Sequence, residues 1–306
     1  MKLLNYSLAL IYFSILLPMH ASSQGQETDY LSQDMRRTQI TAGIATIVGS
    51  LYGVLKGGGA FSSYSDASGK STAFVEEIAS EHGITDEIQV KIGEGYAAGI
   101  GTIMVPYEPN YYFLRATLDT ALEKLEYGND KEVLEALEEL DEHIGSLDHE
   151  FTHYKNHDMR NSLLVTSLVN LCIYSAYFTF EYKMLSEKLR NSSTLKKWLY
   201  THFSTLGLSA TTGLLSCWYS RIREARADEG VRNEAPILKA MINFFKKEEQ
   251  MVKDLLSNSN WFNKKFAGWL EKYPCLYLRF DPLHPPIPER IARFQERLDA
   301  LELASV

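Results

Sequence analysis

The chain has 306 residues, 45% of them hydrophobic, which is enough to bury a substantial core and excludes a disordered protein. A formal net charge of -8 leaves no general basic surface, so no nucleic-acid partner is expected. Cys172, Cys217 and Cys275 are too few and too scattered for a disulfide framework, and buried free thiols are expected.

The first predicted element is a leader. Lys2 precedes the uncharged run LLNYSLALIYFSILLPM, and Ala21, Ser22 and Ser23 offer the small residues that a signal peptidase requires. Residues 1–23 are therefore expected to be a bacterial secretory signal, with an uncleaved membrane anchor as the alternative. Export to the periplasm, or to the periplasmic side of the inner membrane, follows from that expectation. Residues 24–71 read as a polar leader, a short packed helix from Ile40 to Leu55, and a Gly/Ser-rich loop from Lys56 to Ser71. The GKS in that loop is not a phosphate loop, because Tyr64 stands where the first glycine of GxxxxGK[ST] belongs.

Residues 72–306 are predicted to form one α+β domain, mainly helical. TAFVEEIASEHG makes a short helix ended by Gly83, IQVKI and GIGTIMVPY have strand character, and the stretch from Pro106 to Pro109 breaks the pattern. From Tyr111 helical spacing prevails. KEVLEALEELDEHIGSLDHEFTHYKNH sets apolar residues at that spacing against a charge-dense outer face.

Within this helix His149, Glu150 and His153 form HExxH. Imidazoles at i and i+4 lie one turn apart on one side and converge on a single tetrahedral zinc ion, while Glu150 reaches the water that such an ion holds. A catalytic site needs a third protein ligand, and RIREARADEG offers Glu224 on a second helix. Asp228 lies one turn further on the same face, where its carboxylate can accept the free ring N–H of a ligating histidine. A chance helical match at HExxH and a solvated charge run at RIREARADEG are the alternatives at this point.

HEFTH, EARAD and HPPIPERIARF, in that order, resemble the three signatures of the HtpX and CAAX-prenyl-protease family of zinc metallopeptidases, peptidase family M48. The resemblance runs from about Ile88 to Leu298. It implies a gluzincin domain with a small sheet whose edge strand lines the active-site cleft, and one Zn2+ per chain. It further implies His149, His153 and Glu224 as ligands, Glu150 as general base and Asp228 behind a ligand. The expected activity is endopeptidic, on polypeptide substrates such as envelope or misfolded proteins. GYAAGIGTIMVP resembles the family's edge strand, with Tyr96-Ala97-Ala98 where the family opens on Asn-Ala. Thr152 occupies the place before the second histidine where glycine is usual. The alternative function is a non-catalytic, zinc-stabilised binding or chaperone-like module that holds extended clients by strand addition beside GIGTIMVPY.

Between the two ligand helices lie two hydrophobic segments, at about 161–220. NSLLVTSLVNLCIYSAYFTF is charge-free and WLYTHFSTLGLSATTGLLSCWYS is more polar; together they suit a hairpin through the inner membrane or a pair of buried helices behind the zinc site. Two further histidines are candidates for capping the open zinc position or contacting an oxyanion. They are His157, one turn further along the HEFTH face, and His284, in a proline-locked loop. Arg290 reads as a structural ion-pair donor. Nothing in the sequence speaks to oligomeric state.

Overall fold

The computed structural model describes residues 64–93, 95–108, 114–180, 192–257 and 283–305. The expected signal peptide, polar leader and Ile40–Leu55 helix lie outside these residues, as do Cys275 and most of the basic turn between the hydrophobic segments. The chain divides into two compact units, one of Met1–Leu55 with Leu163–Ser216 and the other of Lys56–Ser162 with Cys217–Val306.

In the larger unit the first helix, α1, is Gly69–Glu81. It starts a little before the predicted loop ends, because the Ser68 side chain accepts the Ser71 N–H and caps it. Gly83 follows at φ +70, a left-handed conformation that glycine takes without strain, and the helix stops there as its sequence predicts. Three strands come next: β1 Gln89–Gly93, β2 Ala97–Ala98 and β3 Thr102–Pro106. Their order is β1-β3-β2, with β1 parallel and β2 antiparallel to β3. Every residue of β3 is buried, as the apolar run TIMVP requires of a central strand, and β2 forms an edge.

Helix α2, Leu118–Tyr127, is capped by Thr117, and α3, Asp130–Lys155, opens on a capping box between Asn129 and Glu132. Helices α4, Asp158–Phe180, and α5, Thr194–Gly230, follow; α6 is Ala235–Ser257 and α7 is Ile287–Ala304. The observed architecture is thus α+β and mainly helical, with the small sheet that was expected.

Two hydrophobic clusters hold α3 in place. One joins Val75 and Ile78 of α1, Ile103 and Val105 of β3, Leu118 of α2, and Leu147 and Phe151 of α3. The other joins Ile237, Leu238 and Phe245 of α6 to Phe294 and Leu298 of α7, with the Phe245 and Phe294 rings stacked at 5.8 Å. Ile144 packs against both clusters, so α3 is gripped on two faces although its sequence is rich in acidic residues. Each fully buried Leu or Phe contributes about 2 kcal/mol by apolar burial, and this fixes the helix that bears HEFTH.

The described part of the smaller unit is helical, from α4 and α5. Among the described residues no helix is long and apolar enough to cross a membrane, because Ser, Thr, Asn and Tyr dilute both hydrophobic segments. The pair is not wholly buried either, since Leu168, Leu171, Phe203 and Leu214 are exposed. Cys172 shares the uncovered face of Leu168 and Leu171, so the buried thiol expected there is an exposed one. Cys217 is partly buried and also free.

Candidate metal centre

HEFTH lies in the last turns of α3 and EARADEG in the last turns of α5. The two helices approach closely at Gly230, where a Cβ would stand 1.8 Å from Thr152 Oγ1. That hydroxyl donates back to the Asp148 carbonyl at 2.9 Å. The small residue usual at position 152 is therefore supplied from the opposite helix, and the crossing remains tight.

This crossing brings the predicted ligands together. His149 Nε2 lies 3.1 Å from Glu224 Oε2, His153 Nε2 lies 3.3 Å from Glu224 Oε1, and the two imidazole Nε2 atoms are 3.2 Å apart. One donor atom from each residue falls within 4.8 Å of the others. His284 Nε2 reaches the same place, 3.3 Å from Glu224 Oε2. Asp228 stands behind His149, with Oδ1 at 3.1 Å from Nδ1 but off the line of a directed hydrogen bond. Arg290 holds Asp228 through two bonds, Nε to Oδ2 at 2.8 Å and Nη2 to Oδ1 at 2.5 Å, while its guanidinium lies 4.0 Å from the Phe245 ring centre. It is the structural ion-pair donor the sequence suggested. Glu150, half-buried beside His149, is held by no ion pair or hydrogen bond among the described residues.

His157 is not part of this group, which corrects its expected place on the HEFTH face. Helix α3 ends at Lys155 with Asn156 as its cap, and His157 turns out of it at φ 52, exposed, to begin α4 with its carbonyl accepting from Asn161 N–H. The same turn delivers a residue that the sequence did not reveal. Asp158 Oδ2 is 2.7 Å from His153 Nδ1, and Arg226 and Arg223 hold Asp158 in turn, the latter by donating Nη1 to its carbonyl at 3.1 Å. Each candidate histidine ligand therefore has its own carboxylate behind it. Five residues separate His153 from Asp158, which matches no helical period, so only the turn makes the pair visible.

Asp148 was also missed. It is fully buried and takes four bonds: Arg232 N–H, Nε and Nη2, each at 2.9 Å, and His82 Nε2 at 2.7 Å. Arg232 Nη1 continues to Glu81 at 2.8 Å. This network ties the end of α1 and the chain after α5 to the residue next to His149. Its signal in the sequence was an acidic residue on the inner face of an amphipathic helix, where an apolar one is the norm.

Burial opposes charging both histidines, yet Asp228 and Glu224 hold His149 above the ordinary histidine range, and Asp158 and Glu224 raise His153 to about 9. Burial likewise opposes ionising Glu224, and the three histidines around it hold its carboxyl well below the usual range. Carboxylates buried against imidazoles whose nitrogens face each other favour positive charge at the centre, and this donor group can hold a metal ion there. Two imidazoles and a carboxylate are a donor set that suits zinc.

The model of Peptidase family M48 matches residues 130–298, more than half of the chain. Over 157 residues the chain is 29% identical to a protein named Protease HtpX homolog, from Methylacidiphilum infernorum (isolate V4), a match that covers 48% of this chain and 50% of that protein. The chain thus spans about half the length of this curated relative. No solved structure matches it. The family match covers α3 with its HEFTH, the end of α5 with its EARAD and the start of α7, and on that ground the chain belongs to peptidase family M48, a family of metal-dependent peptidases.

Proposed function

We propose that the chain is an exported zinc endopeptidase acting on envelope or misfolded polypeptides, with His149, His153 and Glu224 as the metal ligands. The convergence of these three side chains, from two helices, on one point carries the reading. The N-terminal run after Lys2 supports export.

His149, His153 and Glu224 would hold the zinc ion, which would supply Lewis acidity toward a peptide carbonyl and a water molecule. Glu150 accepts the proton of the attacking water at its carboxylate; the water oxygen bonds to the carbonyl carbon, the C–N bond breaks, and Glu150 passes the proton to the departing amine. Asp228 and Asp158, each facing an Nδ1, leave the Nε2 nitrogens of His149 and His153 turned toward Glu224, where the three side chains would hold the metal. Arg290 and Arg226 hold those carboxylates in turn, and Arg223 donates to the Asp158 backbone carbonyl.

His284 covers the site before substrate enters. Pro285 and Pro286 stiffen its backbone, and its Nε2 already reaches Glu224. In His284→Ala basal cleavage should rise with metal content unchanged; a loss of activity would instead assign the imidazole to hydrogen bonding of the developing oxyanion. The central experiment compares the zinc-loaded protein with Glu150→Gln on an unfolded polypeptide. Only the unchanged enzyme should cleave it, and equal cleavage by both would remove the mechanism. Zinc binding and client affinity without proteolysis would make the protein a binding module.

A further inference from the structure

The two edges of the sheet are finished differently. Beyond β1, residues 65–67 pair with it, Ala67 N–H donating to the Val90 carbonyl at 3.0 Å and Ile92 N–H donating to the Ser65 carbonyl at 2.9 Å. Among the described residues no strand lies beyond β2. That edge is only Ala97–Ala98, and one side chain at its start ties it down. Tyr96 donates its hydroxyl to His143 Nδ1 of α3 at 2.5 Å, and the two rings meet edge-on with centres 5.9 Å apart. Burial holds the phenol protonated and the imidazole neutral, so these donor and acceptor roles are fixed. The His143 ring also donates to the backbone of Ala116, just before α2, and one imidazole thus clasps three segments.

The clasp sits on the strip of α3 that leads to Glu150. From His143 to Glu150 the helix advances about 10 Å and returns to within about 20° of its starting direction, so the two residues share one side of α3 about two turns apart. On one flank of Glu150, Leu147 and Phe151 belong to the hydrophobic cluster against which Tyr96 and Ala98 pack. On the other flank, His149 and His153 meet Glu224. Glu150 therefore stands on the border between the face of α3 that packs with the sheet and the face that bears the candidate ligands, and β2 packs on this helix. An extended polypeptide added to the open edge of β2 is held by backbone hydrogen bonds, so its height along α3 is set by the height of β2.

We propose that Tyr96 is a positioning residue: through His143 it fixes the β2 edge on α3, so that an extended substrate paired with that edge lies in register with Glu150. The proposal rests on the peptidase function above. Tyr96→Phe keeps the packed ring and removes only the hydroxyl. The test uses the full zinc-loaded chain and two peptides with the same centre, one of about ten residues that can pair along a strand edge and one of about four that cannot. The unaltered chain should prefer the longer peptide in kcat/KM, and Tyr96→Phe should shrink that preference about tenfold at unchanged zinc content, because loss of orientation by about 1 Å is costly. Adding Tyr96→Phe to His143→Leu should cost no more than His143→Leu alone, since one bond is removed only once. Equal losses on both peptides, with the preference intact, would make the bond a structural one and overturn the proposal. If the unaltered chain cleaves neither peptide, the peptidase function fails, and calorimetric affinities of both peptides for Glu150→Gln decide the positioning: Tyr96→Phe in that background should weaken the longer peptide selectively, and equal weakening overturns it. A chain with no preference for the longer peptide, in cleavage or in affinity, overturns it whether or not any Tyr96 variant folds.

Discussion

Two stretches of the same helix, α3, bury histidines and drive them in opposite directions. Toward the sheet edge, His143 is 1% exposed; burial pushes its pKa down to about 4, and it stays neutral, accepting the Tyr96 hydroxyl at Nδ1 over 2.5 Å. Toward α5, His149 and His153 are also withdrawn from water, yet carboxylates at both ring nitrogens push their pKa values up. Burial is common to both stretches, so it does not decide the charge. The neighbours do: a phenol leaves imidazole as a packing element, whereas buried carboxylates favour positive charge on the imidazoles beside them.

The comparison breaks most severely if the carboxylate shared by the two histidines is removed. Glu224→Ala should abolish stoichiometric metal binding, measured by elemental analysis, and lower peptidase activity about a thousandfold or more. The helix should remain folded by circular dichroism, since the two hydrophobic clusters on α3 do not include Glu224. Retained zinc would mean that the histidines do not depend on it.

The neutral stretch can be tested by pH. His143 has a folded pKa of about 4 against an ordinary 6.5, so between these values the unfolded chain binds more protons than the folded one. Its contribution is fully present above pH 6.5, declines as pH falls, and is lost below about 4, a difference of about 3 kcal/mol. Urea unfolding across this window should show the slope, and His143→Gln should flatten it. An unchanged slope in that variant would place the acid sensitivity in the carboxylates instead.

A smaller effect is expected at the helix crossing. Gly230→Ala sets a Cβ against Thr152 and should cost about 2 kcal/mol by overpacking, along with weaker metal binding. Adding Thr152→Gly should restore the metal affinity, because it removes both the hydroxyl and the Cβ that the new methyl meets. Failure of that rescue would show that the close approach does not set the site.

The smallest effect belongs to a carboxylate behind a ligand. Asp158→Asn keeps the shape and removes the charge facing His153 Nδ1, so zinc affinity measured by chelator competition should fall about tenfold. No change would reduce Asp158 to an ion-pair partner of Arg226.

What could be read beforehand divides along the same line. The helices, the strand-forming stretches and the HExxH pair were legible because i, i+4 spacing and two-residue alternation are local rules. His149 and His153 were therefore found at once, while His143, six residues before His149 on the same helix, gave no signal. The motif order pointed to Glu224 and Asp228, but nothing in it separated His157, which the turn at Asn156 sends into solvent, from Asp158, which that turn sends behind His153.

The sequence by itself determined the amphipathic α3, its capping box and two imidazoles one turn apart, since each depends on residues within a few positions of one another. Only the tertiary structure decided that Glu224 meets both imidazoles, that Gly230 supplies the room which Thr152 takes, and that Asp148 ties together the ends of three segments. Those contacts join residues up to 84 positions apart. Their geometry is set by packing on the two hydrophobic clusters, and a local spacing rule carries no information about which distant carboxylate that packing brings to a given histidine.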